Sequence, residues 1–459
     1  MTATAERTQA VGFDRRLTAP LVIGSVLNPI NSSMIAVSLI PIGIAFGAPP
    51  AQTIWLVSAL YLATAVGQPV VGRLVDLFGP RRLYLLGTGL VGVAGVLGAL
   101  APSLGLLVAA RVLLGFGTCA AYPAAMYLLR SESRRTGVDS PAFVLTALAI
   151  ANQTVAVIGP TLGGVLIGIG GWRTIFTVNI PLAIACLILG SRRLPRVVPV
   201  SETRGIDLPG MVLFATMLTT LMLFLMKPAA DEWYLPVVAV AAAVGLVVRE
   251  LRQRAPFLDL RVLGGNVPLL ATYGRQILQS TVTYSFMYGY VQWLESTGGL
   301  SATSAGLLLL PMSTAAIAAS AVSGRRPQVR GKLVVGGALL VLGTAGLLTV
   351  DAGTAVWALI GIAVLIGISQ GLNGLANQNA LYRQAEPARM GSSAGLLRTF
   401  TYLGAITASA VLAASFAHGA STAGLHQLTV VMLGCAVALL VLTTLDRSLH
   451  RTTVTLETA

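Results

Sequence analysis

The chain has 459 residues, of which 55% are hydrophobic and 10% charged; 30 Lys and Arg face 16 Asp and Glu, giving a formal net charge of +14. So few charged residues cannot clothe soluble domains in a polar surface, which excludes a soluble enzyme or binding module and points to a polytopic membrane protein. The cation excess does not require nucleic acid, because membrane topology alone can place it beside an anionic leaflet.

After a polar tail over 1–19, apolar runs of roughly 18 to 25 residues recur, each long enough as a helix to cross about 30 Å of hydrocarbon. Fourteen spans are predicted, over 20–45, 51–72, 82–101, 104–129, 142–168, 172–190, 208–226, 233–249, 267–293, 302–323, 333–350, 354–378, 391–417 and 425–444. The first run is longer than a signal-peptide core, so it is expected to be retained. No ten-residue alternation is visible, which excludes a β-barrel.

Taken in chain order, the first span carries Asn28, Asn31 and Ser32 at helical spacing. The connection after the second reads Gly72-Arg-Leu-Val-Asp76-Leu-Phe-Gly79-Pro-Arg81-Arg82. Its glycines let two helix ends approach around a tight turn. Asp76, at a helix end, can cap a neighbouring helix amino terminus in one conformation and release it in another. A gate is one reading of this loop, and a solvated basic turn is the other. The fourth span carries Arg111 and Gly115, and the fifth carries Gln153 and the run Gly159-Pro160-Thr-Leu-Gly163-Gly164. There the proline removes a backbone donor and the glycines admit another helix against bare backbone, so a bend and a close contact are expected. Glycine and proline are also frequent in membrane helices generally.

Polar residues return in the second half as stripes: Arg275, Gln276, Gln279 and Thr283 on the ninth span, Gln370, Asn373 and Asn377 on the twelfth, Arg398 and Tyr402 on the thirteenth. One Arg near the bilayer centre costs roughly 2.5 to 3.5 kcal/mol on insertion scales, so Arg111 and Arg275 are expected to face a cavity. Arg398 is shallower and can also snorkel. Every Asp and Glu falls in a predicted loop, tail or helix edge, so the cavity is expected to be positive. The uncharged stripes complete it, although interhelical hydrogen bonds of about 0.6 kcal/mol each are a plainer use for any one of them. Cys119, Cys186 and Cys435 lie far apart within spans and read as packing residues.

Basic residues give an independent check on topology, because they concentrate in short cytoplasmic connections. With the amino terminus inside, 25 of the 30 cations fall on one side; Arg173 and Lys227 fall opposite, and Arg111, Arg275 and Arg398 lie within spans. Both termini are thus expected in the cytoplasm and the chain in the inner (plasma) membrane. A shift of 252 positions lays Gly72-Arg73 on Gly324-Arg325, Gly79 on Gly331 and Gly115 on Gly367. This faint repeat divides the chain into a tail (1–19), a six-helix bundle (20–190), a linker with two insert spans (191–265), a second six-helix bundle (266–445) and a tail (446–459). Parallel halves of this kind enclose a midplane site and rock around it.

The loop around Asp76 resembles the loop signature of the major facilitator superfamily. Arg111-Val-Leu-Leu-Gly115 is similar to that superfamily's Arg-x-x-x-Gly motif, and Gly159 to Gly164 resembles the motif of its exporters. Gly171-Trp172-Arg173 through Asn179-Ile180-Pro181 follows as in its fourteen-helix drug:proton antiporters. The resemblance implies an all-α, two-bundle fold with two insert helices, and gating roles for Gly72, Asp76, Gly79, Arg81, Arg82, Gly115, Gly159, Pro160, Gly163 and Gly164. One departure matters: Ser32 stands where these antiporters carry an Asp in the first span. A hydroxyl cannot carry a proton through a cycle, so neither proton coupling nor a preference for cations carries over through that position. Thr401 stands where the family usually has an Arg, three positions after Arg398.

The function the resemblance implies is secondary active export of small amphipathic or toxic compounds by alternating access; protons are the family's coupling ion, and with Ser32 in the first span another acidic group would have to carry them. A second reading, drawn from the residues themselves, is transport of an anionic or polar metabolite or lipid, not proton-coupled through the first span, with Arg275 and Arg111 as anion partners. An intramembrane enzyme would need a nucleophile and base, a metal cluster or a phosphate loop; His418, His426 and His450 have no metal-ligand spacing. A non-transporting sensor or scaffold is the third reading. The expected partners are a small-molecule solute, the lipid bilayer and protons, with no nucleic acid, cofactor or metal.

Overall fold

The computed structural model describes residues 14–48, 50–53, 55–136, 142–196, 206–226, 230–253, 256–258, 260–297, 307–325, 328–416 and 420–449. All regular structure among them is helical. We number the principal helices α1 (Thr18–Met34), α2 (Leu39–Phe46), α3 (Trp55–Phe78), α4 (Pro80–Ala99), α5 (Leu104–Thr118), α6 (Ala121–Thr136), α7 (Ala142–Gly170), α8 (Asn179–Arg193), α9 (Leu208–Met226), α10 (Tyr234–Arg252), α11 (Val267–Ser285), α12 (Leu310–Gly324), α13 (Val329–Leu347), α14 (Val356–Gln384), α15 (Met390–Ser415) and α16 (Thr422–Leu445).

Ten helical stretches among the described residues are long and apolar enough to cross a membrane. The other four predicted spans differ for local reasons. The first is broken by a 3-10 turn at Ile35–Ser38, leaving α1 and α2 short. The ninth carries too many polar side chains on α11 and then loosens into a π turn at Phe286–Tyr290. The fifth and tenth contribute shorter apolar stretches, Phe143–Val155 and Leu310–Gly324. The fourth span is interrupted as well, between α5 and α6. Pro123 cannot donate to the carbonyl of Cys119, and the helix restarts at Ala121.

Helices α1 to α8 pack chiefly on one another, as do α11 to α16, while α9 and α10 pair and α9 reaches both α3 and α15. The 252-position repeat has a packing counterpart. A Cβ at Gly115 would lie 3.0 Å from the Leu60 carbonyl oxygen, and one at Gly367 would lie 2.1 Å from that of Met312. Leu60 and Met312 are themselves 252 positions apart. In each group the bare backbone of one helix therefore seats against the same turn of its neighbour. Between the groups, α3 runs along α15, α7 along α12 and α6 against α15.

Candidate functional site

The ends of α3, α6 and α15 meet at the face of the molecule that carries the arginine-rich connections. Gly79, with φ of +90°, makes the turn out of α3 that only glycine adopts freely. Asp76, wholly buried one turn before it, points across to the amino terminus of α15. Its Oδ1 accepts the N–H of Gly391 at 2.8 Å, and its Oδ2 accepts the N–H and hydroxyl of Ser392 at 2.9 and 2.5 Å. First-turn N–H groups have no partner within their own helix, so Asp76 is a cap delivered from the other helix group. Contact is this close because both sides are glycine: a Cβ at Gly72 would stand 2.4 Å from the Gly391 carbonyl oxygen.

One turn deeper, Gly395 sits against the Gln68 carbonyl. Deeper still, the Thr399 hydroxyl donates to the Ala65 carbonyl at 2.9 Å. That carbonyl is available because Pro69, four residues on, has no N–H to give it. A second cross-link closes the same face, where the Tyr382 hydroxyl donates to the Leu129 carbonyl at 3.1 Å and Arg130 lies over the Tyr382 ring. Of the other gate candidates, Arg81 donates to the Ser191 carbonyl at 2.7 Å and Arg82 is exposed, so neither faces Asp76. Gly159 and Gly163 press α7 against Ser33 and Met34 of α1, while Gly164 is exposed with nothing nearby. The Pro160 side chain lies outside the described residues.

Behind this closed face lies a small cavity lined by Ser25, Asn28, Pro29, Gln68, Thr118, Tyr122, Asn152, Arg398 and Tyr402. Its walls come from both groups, and the Tyr402 hydroxyl spans them by donating to Asn28 Oδ1 at 2.7 Å. Asn28 in turn donates to Thr118 at 2.9 Å, which fixes its amide on the wall. The Arg398 guanidinium lies over the Tyr122 ring, 4.1 Å from its centroid. Tyr61 stacks obliquely on Tyr402 at 5.7 Å and contacts Ser32 and Tyr288, the last placed by the π turn.

Three of the expected cavity residues, Asn28, Arg398 and Tyr402, line this space; most of the others serve elsewhere. Asn31 exchanges two hydrogen bonds with Asn179, at 2.6 and 2.9 Å, and so fastens α1 to α8. Arg111 is buried and donates to the carbonyls of Leu56 at 2.7 Å and Asn31 at 3.2 Å. Arg275, expected to face a cavity, is enclosed instead: it pairs with Asp446 at 2.8 Å and donates to Thr272 at 2.7 Å and Asn377 at 3.2 Å. The carboxylate comes from just past the end of α16, which folds back onto α11. Gln276 donates to Thr401, and Asn373 donates to Gln279, which donates to Thr283. These bonds make a polar seam joining α11, α14 and α15. Gln153 donates to Ser320 across the groups, and Gln370 is half-buried and belongs to neither arrangement.

Ser25, Gln68, Thr118, Tyr122 and Asn152 were not among the expected residues. Gln68 was the available signal, a lone amide in an apolar run, and Asn152 stands beside the selected Gln153. The helix break at Cys119–Ala120 is what turns Thr118 and Tyr122 to one wall.

The sequence profile of the Major Facilitator Superfamily matches residues 21–409. The chain is 33% identical over 428 residues to YwoD, an uncharacterized MFS-type transporter of Bacillus subtilis (strain 168), spanning 89% of this chain and 92% of that one. It is 29% identical over 408 residues to the lincomycin resistance protein of Streptomyces lincolnensis, spanning 85% and 82%. Among solved structures it resembles the human organic anion transporter MFSD10 (TETRAN) with a TM-score of 0.68 over 94% of this chain and 99% of that chain; at 16% identity this is a likeness of fold alone.

Proposed function

We propose that this chain, which belongs to the Major Facilitator Superfamily, exports a small amphipathic compound across the plasma membrane by alternating access. Membership makes it a multi-span membrane transporter rather than an enzyme. The finer reading has fourteen spans in two six-helix bundles, 20–190 and 266–445, around an insert over 191–265. Both termini and the arginine-rich face are then cytoplasmic.

One observation carries this reading. A carboxylate from one helix group caps a helix of the other over a polar cavity whose walls come from both. Such a cap can release in an alternating-access cycle, because the polar part of the closure crosses between the groups through a few hydrogen bonds and bare-backbone contacts, beside apolar side chains of both groups that also pack together. Outward direction is supported by the likeness to a resistance protein. Proton antiport belongs to the proposal, with the proton carried by an acidic group outside α1, where Ser32 offers none.

The test compares compounds retained by efflux-deficient cells with and without the protein, with Asp76→Asn, and with a protonophore. Depletion that both the variant and the protonophore weaken is expected. Unchanged retention of every compound would remove the export reading and favour a sensor or scaffold.

A further inference from the structure

The cavity between the helix groups has one charged lining residue, Arg398, and no carboxylate lines it. Arg135, Arg249, Arg275 and Arg389 each pair with an acidic side chain, whereas no carboxylate among the described residues pairs with Arg398. Stacking on Tyr122 uses the face of the guanidinium and leaves its N–H edge for a planar anion. A half-buried cation held this way gains from a ligand that brings the missing charge.

Two further atoms of the same wall lack partners. Gln68 is 2% exposed and its Oε1 is buried without a hydrogen bond, and Asn152 Oδ1 is in the same position. Such atoms take up water or ligand, and of those left without a partner among the described residues these two belong to residues that line the cavity. Their neighbours are already committed: Asn28 to Thr118 and Tyr402, Ser25 to the Val22 carbonyl. Tyr122 and Tyr402 supply aromatic walls.

We infer that this cavity, which holds no more than about one water molecule while the face is shut and widens as the face opens, receives an amphipathic acid that also carries O–H or N–H donors, its anionic group on the Arg398 edge and its donors on Gln68 and Asn152. The inference rests on the transport reading and names the substrate class for that same site. A carboxylate or phosphate on an apolar or aromatic body fits, whether it belongs to a soluble acid or to the headgroup of an acidic lipid.

The test uses full-length protein in phosphatidylcholine vesicles and aromatic scaffolds, each supplied as hydroxylated carboxylate, carboxamide and amine, with exchange across the membrane read by mass spectrometry. Carboxylates are expected to exchange faster than their amide and amine partners by about tenfold or more, the scale of one lost charge-assisted hydrogen bond. Arg398→Ala should erase that preference, and Arg398→Lys, which keeps charge without the planar edge, should retain part of it. Should Arg398→Ala fail to fold, the wild-type preference and the Lys variant decide the matter. Suppression of exchange by added phosphatidylglycerol would assign the same anion site to lipid. Faster exchange of amines, or an acid preference that survives in folded Arg398→Ala, would overturn the inference and leave the transport reading standing. No exchange of any charge class by folded wild-type protein would overturn both.

Discussion

Asp76 Oδ2 accepts two hydrogen bonds from Ser392, one from its backbone N–H at 2.9 Å and one from its hydroxyl at 2.5 Å. With Gly391 added, a single side chain from one helix group satisfies the start of a helix in the other. The carboxylate and the α15 amino terminus need each other electrostatically only while this face is closed.

Asp76→Asn should therefore loosen the face without unfolding either group. The amide keeps one acceptor oxygen but turns N–H groups toward other N–H groups. We expect the closed arrangement to lose about 1.5 to 3 kcal/mol, the range for hydrogen bonds to charged groups. Hydrogen exchange at Gly391 and Ser392 reads this directly, with faster exchange at these two amides and little change in the middle of α13. Equal protection in both proteins would mean that Asp76 is not the cap.

Backbone contact at the same face predicts a steric phenotype. A Cβ at Gly72 or Gly395 would stand 2.4 or 2.2 Å from a facing carbonyl oxygen, whereas Gly89 and Gly331 have nothing within 4 Å. Gly72→Ala and Gly395→Ala should hold the face ajar, and Gly89→Ala and Gly331→Ala should not. Maleimide labelling of Ser393→Cys, in a chain with its native cysteines replaced, reports the difference, because Ser393 is buried when the face is shut.

Much of the helical layout was legible because hydrophobic runs read directly as helices: the predicted 333–350 and 425–444 overlap α13 and α16. The breaks at Ile35–Ser38 and Cys119–Ala120 were not, since a 3-10 turn and a restarted helix leave the apolar run intact. The stripes on α11 and α14 were legible as stripes. Spacing places residues on one face but does not say what that face meets, so side chains of a structural seam and of a cavity look alike in sequence. Arg275 and Arg398 show the difference. Both are arginines within spans, yet one meets a carboxylate from beyond α16 and the other an aromatic ring on a cavity wall.

This contrast is measurable. Arg275→Ala leaves Asp446 buried without its cation, and breaking a buried pair from one side costs about 3 to 5 kcal/mol. We expect a large fall in melting temperature with no change in which solute charge is preferred. Arg275→Met combined with Asp446→Leu should recover much of the stability, because replacing both partners by apolar groups is often close to neutral. A shift in charge preference in folded Arg275→Ala would move Arg275 back to the substrate path.

The bond from Thr399 to the Ala65 carbonyl allows a more selective test, because its cause is visible in the sequence of the other helix. Pro69 lacks the N–H that would have bonded Ala65 within α3, and the Thr399 hydroxyl fills that vacancy from α15 at 2.9 Å. Thr399→Val keeps the shape and removes the donor, which should cost about 1 to 3 kcal/mol for the orphaned carbonyl. Pro69→Ala restores an intrahelical donor, so in that background the same Thr399→Val change should cost much less. Thermal unfolding of the four proteins gives the coupling, expected at about 1 kcal/mol or more for residues sharing one acceptor. Strict additivity would mean that the proline and the threonine act independently, and that closure along α3 and α15 depends on packing alone.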